Sequence, residues 1–157
     1  MIEFRTGNLF DSKCKTLVNT VNCVGVMGKG IALQFKNKYP YMFTAYKNAC
    51  YNGELKNGGD LWLFSIKNFI PFDSLITNLP KILCFATKEH WRNPSKLEWI
   101  DRGLQNFVQN YKQWGITTIA FPKLGCNNGG LNWENEVKPL MIKYLNNLEN
   151  LYIEIYE

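Results

Sequence analysis

The sequence predicts an α/β fold, a three-layer α/β/α sandwich with a central mixed sheet. Two features carry that expectation. Short apolar, β-branched runs alternate with helix-like patterns from one end of the chain to the other. Two of those runs empty into glycine-rich loops, as strands of an open α/β sheet do at the edge where ligands bind. The 157 residues suffice for one domain with a sizeable core. No internal repeat, low-complexity stretch or linker interrupts them.

Residues 2–6 read as a short first strand and 16–22 as a second, buried one. Ile31 to Lys38 has a helical pattern that stops before Pro40, because the residue preceding a proline avoids helical backbone. Met42 to Tyr51 reads as another helix, ended near Gly53. Leu61–Phe64 and Ile82–Ala86 are strand candidates. Between them lies a looser stretch, Asn68 to Leu79, with Pro71 and Pro80 near its two ends. The clearest helix spans about 96–113. Ser95 and Glu98 form a capping box at its start. Leu97, Ile100, Leu104, Phe107, Val108 and Tyr111 share one face, and Gly115 follows as a stop signal. Thr117–Phe121 is another strand. Pro139 falls in the first turn of the last helix, with Leu140, Met141, Tyr144 and Leu145 facing inward. Leu151–Tyr156 alternates and closes the sheet.

The stretch from Val18 to Phe35 says most about function. An apolar run carrying Asn19 and Asn22 gives way to a loop with Gly25, Gly28 and Gly30, and then to a helix. Glycines let a backbone approach a ligand closely, and a helix N-terminus offers unpaired N–H groups and a favourable dipole. The pattern points to a nucleotide or another phosphorylated ligand. It is not a P-loop: Gly25 and Gly30 have the right spacing, but Ile31 and Ala32 stand where Lys and Ser/Thr belong. It is not the dinucleotide fingerprint either, since Leu33 replaces the third glycine. A tight turn alone would also explain these glycines.

Composition narrows the class. No apolar run approaches the roughly 20 residues of a membrane span, and the first residues lack the pattern of a signal peptide. A cytoplasmic, monomeric protein is the expectation. Cys14, Cys23, Cys50, Cys84 and Cys126 form no C-x-x-C pair, and His90 is the sole histidine. That excludes the usual structural zinc sites and reads as reduced thiols. The net charge of +5 suits a polyanionic partner, although the basic residues are spread along the chain.

A second glycine loop, Pro122-Lys123-Leu124-Gly125-Cys126-Asn127-Asn128-Gly129-Gly130-Leu131, follows the strand 117–121. Two such loops at one sheet edge could clamp a diphosphate from both sides. Cys126 there is either reactive or simply small enough for close-packed backbone. Thr87-Lys88 follows the strand 82–86 in the same way. A lysine at that edge, partly buried near other cations, has a depressed pKa and becomes nucleophilic toward carbonyl-like carbon. A solvated lysine, or one that only pairs with phosphate, remains open.

These segments resemble the macrodomain family of ADP-ribose-binding α/β/α modules over essentially the whole chain, residues 1–157. Val18-Asn19-Thr20-Val21-Asn22 is similar to the family's strand motif, Gly28-Lys29-Gly30-Ile31-Ala32 to its first ligand loop, and Gly125 to Leu131 to its diphosphate loop. Asn19 to Gly25, Met27 to Ala32, Thr87-Lys88, His90-Trp91-Arg92, Leu124-Gly125-Cys126 and Leu131-Asn132-Trp133 look most like the subgroup of terminal ADP-ribose protein glycohydrolases and DarG-type antitoxin macrodomains.

The resemblance implies an ADP-ribosyl glycohydrolase with Lys88 as catalytic residue, acting on ADP-ribosylated DNA thymine or protein glutamate, without cofactor or metal. It implies ligand contacts from Asn8 and Leu9, from Asn19, Asn22, Val24, Met27, Gly28, Lys29, Gly30 and Ile31, and from Thr87. Pro122, Leu124, Gly125, Cys126, Asn127, Asn128, Gly129, Gly130 and Leu131 complete the implied set. A cognate ADP-ribosyltransferase toxin is the partner the subgroup suggests. DarG proteins usually carry a further C-terminal domain, so the expectation is a free-standing macrodomain or a piece of a longer chain.

Two departures matter. The second loop has no acid where some members carry an aspartate, and Gly7-Asn8 stands where many have Gly-Asp for the adenine amino group. A non-catalytic ADP-ribose reader, an ADP-ribose-phosphate phosphatase and a deacylase of acylated ADP-ribose stay open as alternatives, because one cleft can serve several reactions.

Overall fold

The computed structural model describes residues 1–68 and 78–157. Among them, strands β1 (Ile2–Arg5), β2 (Thr16–Val21), β3 (Leu61–Phe64), β4 (Lys81–Ala86), β5 (Thr118–Phe121) and β6 (Tyr152–Tyr156) form one mixed sheet. Its order is β1-β6-β5-β2-β4-β3. β3 runs antiparallel to β4, and the other neighbours are parallel. The helices are α1 (Gly30–Lys38), α2 (Pro40–Tyr51), α3 (Leu97–Asn110) and α4 (Lys138–Leu145).

Strand alternation sorts the core into two faces. On β2 and β4, Leu17, Val21, Ile82, Cys84 and Ala86 pack with Phe35 of α1 and Met42, Tyr46 and Ala49 of α2. On the opposite face, Val18, Leu83, Phe85, Ile153 and Ile155 pack with Ile100, Leu104 and Phe107 of α3 and Met141 and Leu145 of α4. The central strands are therefore covered on both sides, as parallel strands require, and the expected sandwich is present. Pro40 opens α2, while Tyr39 closes α1 through its N–H to the Phe35 carbonyl at 2.8 Å. One proline thus splits what would be a longer helix into a corner.

Three local expectations change. The capping box of Ser95 and Glu98 does not form: Lys96 is the N-cap of α3 and makes no side-chain cap bond. Ser95 is buried, and its N–H donates to the Gly129 carbonyl at 2.9 Å. Loop packing has taken the residue that local preference assigned to the helix. α3 also ends at Asn110 rather than near 113, and Tyr111 to Gly115 form the turn that follows. The last helix is entered through a π-helical turn, Trp133–Val137, capped by Asn132, whose side chain accepts from the Asn135 N–H at 2.8 Å. In the looser stretch, Ile66–Asn68 is a 3-10 turn, and Pro71 with the rest of 69–77 lies outside the described residues.

One contact sets how closely α3 approaches the sheet. A Cβ on Gly103 would stand 2.2 Å from Cζ of Phe85, a fully buried ring. Alanine gains about 1 kcal/mol of helix propensity over glycine, whereas overpacking a tight core costs about 1–3 kcal/mol. Packing wins at a fully buried site. We predict that Gly103→Ala destabilises the protein by about 1–2 kcal/mol. It should lower the urea midpoint at unchanged slope, and a higher midpoint would contradict this account.

Candidate active site

β5, β2 and β4 are adjacent and parallel, so their carboxyl ends share one edge. The register pairs Val21 with Ala86, so the two chains leave the sheet side by side. The N–H groups of Thr87 and Lys88 both donate to the Val21 carbonyl, at 3.0 and 3.3 Å, and the Cys23 N–H donates to the Glu89 carbonyl at 3.1 Å. A cleft of about 710 Å³ opens at this edge, within the range of small-molecule and cofactor sites. Its walls are the three strand exits and the start of α1.

The first exit is organised by Asn22. Its Oδ1 accepts from the N–H groups of Val24 (3.0 Å) and Val26 (3.4 Å) and from the Tyr46 hydroxyl (2.8 Å). Its Nδ2 donates to the Val26 carbonyl at 2.8 Å. Asn22, an expected ligand contact, lines the cleft, and its amide is engaged with its own loop. Asn19 and Met27, both expected ligand contacts, are buried behind the wall and outside the lining, with Asn19 Nδ2 3.8 Å from Met27 Sδ. Asn19 Oδ1 has no hydrogen-bond partner among the described residues. Val24 is exposed and also outside the lining.

Asn8 and Leu9 are likewise not part of this cleft. The Asn8 side chain accepts from the Phe10 N–H at 2.9 Å and caps the 3-10 turn Leu9–Asp11, and Leu9 is buried. An asparagine two residues before a free N–H makes that bond locally, which explains why an adenine contact cannot be read from it.

Gly28, Lys29, Gly30 and Ile31 do line the cleft, with Ala32. They are the N-terminal turn of α1, and the N-cap Lys29 makes no side-chain cap bond. The first N–H groups of the helix therefore face the cavity, a ready site for an anion. Gly30 has φ +58, and a Cβ there would meet Asn128 Nδ2 at 2.7 Å, so the two glycine loops touch at this point.

In the second loop, Pro122, Gly125, Cys126, Asn127, Asn128 and Gly129 line the cleft. Leu124, Leu131 and Gly130 do not. Leu124 is fully buried and Leu131 packs against the α3–α4 core, so both anchor the loop. The Leu131 N–H donates to the Gly125 carbonyl at 3.0 Å and closes it. Gly129 has no room for a side chain: a Cβ would lie 2.3 Å from both Gly125 O and Ser95 Oγ.

Thr87 and Lys88 line the third wall. Lys88 is half-buried, and its Nζ donates to the Trp91 carbonyl at 3.2 Å. It joins none of the ion pairs among the described residues. Desolvation, and then the charge of Lys29, hold its pKa below the ordinary lysine value. Sequence reasoning missed Thr20, Val21, Val26, Ala32, Trp91, Arg92 and Lys123 as lining residues. Proximity to Lys88 and to the two glycine loops was the signal available for most of them. Among the described residues, the charged lining residues are Lys29, Lys88, Arg92 and Lys123, all positive. Burial pushes the Cys126 thiol up to about 11, so the cysteine beside them stays protonated at neutral pH. Among the described residues, no group of three or more His, Cys, Asp or Glu could hold a metal ion.

The Macro domain model matches residues 18–140. The chain is 44% identical over 156 residues to a DNA ADP-ribosyl glycohydrolase of Mycobacterium tuberculosis, covering 99% of this chain and 42% of the relative. It is 40% identical over 158 residues to a DNA ADP-ribosyl transferase-DNA ADP-ribosyl glycohydrolase fusion protein of Thermosipho africanus, covering 96% and 40%. The chain thus spans about two fifths of the length of the curated relatives it matches. Among solved structures, the macrodomain of Thermus aquaticus DarG superposes with a TM-score of 0.87 at 39% identity, covering 100% of this chain and 98% of that one. Thermosipho africanus DarTG in complex with ADP-ribose gives 0.88 at 38%, covering 99% and 41%. The chain belongs to the Macro domain family.

Proposed function

We propose that this chain is an ADP-ribosyl glycohydrolase that binds ADP-ribose in the cleft and removes it from a modified DNA base, with Lys88 as catalytic residue. The observation that carries this reading is a lysine with depressed pKa, outside every ion pair among the described residues, at a strand exit facing two glycine loops. The names of the relatives matched over nearly all of this chain, and over about two fifths of their own length, support DNA over protein glutamate as substrate. The transferase–glycohydrolase fusion supports a cognate ADP-ribosyltransferase as partner, and with it an antitoxin role.

In this mechanism the diphosphate rests on the α1 N-terminus and the N–H groups of the 125–129 loop. The distal ribose then meets Lys88. The glycosidic bond breaks with its electron pair leaving on the base, which takes a proton, and positive character develops at the anomeric carbon. The neutral Lys88 amine donates its lone pair to that carbon, or stabilises it while water attacks. If the adduct forms, water then displaces the amine and releases free ADP-ribose. One feature favours a second reading, a non-catalytic reader: among the described residues, no carboxylate lines the cleft to activate that water.

Lys88→Ala separates the two readings. We expect it to abolish release of ADP-ribose from a modified oligonucleotide while calorimetry shows free ADP-ribose still bound. Arginine should not rescue, because guanidinium remains protonated. Undiminished turnover by the alanine variant would assign catalysis to another group, and binding without any release by the wild type would leave the reader. A neutral amine is favoured as pH rises, so the rate should climb with pH and level off below the ordinary lysine value. Lys29→Gln removes a neighbouring positive charge, raises the Lys88 pKa and should move that limb to higher pH. An unmoved limb would assign it to another group. Gly129→Ala should weaken ADP-ribose binding at least about tenfold, since the new methyl must displace the loop carbonyl of Gly125. Unchanged affinity by calorimetry would remove that loop from the binding site.

A further inference from the structure

We propose that the turn His90-Trp91-Arg92 at the cleft is a stacking platform for an unpaired base of single-stranded DNA, beside the modified nucleotide. The proposal rests on the glycohydrolase reading for the identity of the substrate.

Trp91 is 45% exposed, an unusual state for the largest apolar side chain, and it lines the cleft that holds Lys88. Its backbone carbonyl is the group that receives the Lys88 Nζ at 3.2 Å, so the backbone of the turn and the amine are tied. The ring is held in place before any ligand arrives. The His90 imidazole centroid lies 5.3 Å away at 30° between planes, and the Arg92 guanidinium carbon lies 4.8 Å from the Trp91 centroid. The Arg92 N–H donates to His90 Nδ1 at 3.1 Å, and the Asn93 N–H closes the turn on the His90 carbonyl at 3.1 Å. Three planar groups arranged beforehand lose little freedom when a base stacks on them.

Charge points to the same occupant. Among the described residues, the charged side chains lining the cleft are four cations. The diphosphate of ADP-ribose carries about two negative charges and meets the α1 N-terminus beside Lys29. Arg92 and Lys123 remain for other anions, and a DNA strand brings a phosphate on each side of the modified nucleotide. The strand must be single, because in a duplex the faces of a base are covered by its neighbours.

The test measures fluorescence anisotropy of unmodified single-stranded oligothymidylate, an abasic strand of equal length, and a duplex. Alongside it, kcat/KM is measured on an ADP-ribosylated oligonucleotide and on ADP-ribosylated thymidine. Loss of one stacked base weakens binding about tenfold or more. We expect Trp91→Ala to show that loss on oligothymidylate but not on the abasic strand, with Trp91→Phe retaining most of the affinity. Its kcat/KM should fall about tenfold further on the oligonucleotide than on the nucleoside. Arg92→Ala should flatten the salt dependence by about one phosphate contact. Equal loss on the abasic strand, equal binding of duplex, equal kinetic loss on both substrates, or no wild-type binding of oligothymidylate would each overturn the platform. If wild type hydrolyses neither substrate while the base-dependent binding behaves as expected, the glycohydrolase reading fails and the platform stands. If a modified acidic peptide is turned over and loses equally with Trp91→Ala, the partner is protein.

Discussion

The carbonyl of Val21 is the joint on which the cleft depends. It accepts from two successive N–H groups, those of Thr87 and Lys88, just beyond the last paired residues of β2 and β4. A shared acceptor leaves neither chain free to diverge from the other. The next residue pair repeats the lacing through the Cys23 N–H and the Glu89 carbonyl. On the other side of Val21, the Tyr46 hydroxyl rises from α2 to the carbonyl and side chain of Asn22 at 2.9 and 2.8 Å. A helix buried against one face of the sheet therefore fixes the height of the first loop, while strand pairing fixes that of the lysine.

The opposing wall is set differently, by absence of side chains. Gly129 packs against Gly125 and Ser95, and the Ser95 N–H holds the Gly129 carbonyl. Leu124 and Leu131 carry the loop into the α3–α4 core. Gly103 lets α3 settle close to Phe85, and that depth in turn sets where Ser95, just before the helix, can reach the loop. Helix, cap region and ligand loop form one mechanical sequence on that face. Polar satisfaction is nearly complete around it. The exceptions among the described residues are Asn19 Oδ1 and Ser95 Oγ, each directly behind one of the two glycine loops.

Strand and helix identity was legible where burial imposes a period. The apolar stripe of α3 shows its helical period directly, and β2 and β4 were read within a residue or two as short continuous apolar runs bounded by turn signals. The strand exits were legible for the same reason, and with them the side of the sheet that carries the cleft. What was not legible is which residues of a loop face the ligand and which anchor it. Met27, Leu124 and Leu131 belong to loops read correctly yet point into the core. Short polar residues were the hardest to place. Asn8, Asn22 and Ser95 can each bond a nearby backbone or an external group, and only tertiary packing decides between them. Trp91 and Arg92 carry no periodic signal and became site residues only when the turn after β4 was seen folded back over Lys88.

The protonated Cys126 bears on chemoselectivity. Thiolate is intrinsically a better nucleophile toward soft carbon than an amine, and a cleft holding both types of group could form two different adducts with one sugar. Here desolvation acts on the two in opposite chemical senses. It lifts the thiol toward about 11, away from its reactive anion, and it lowers the lysine toward its reactive neutral form. Desolvation, the largest cause of both shifts, thus works against the thiolate and toward the neutral amine, and the Lys29 charge adds to the second. The site discriminates between its own groups before any substrate enters.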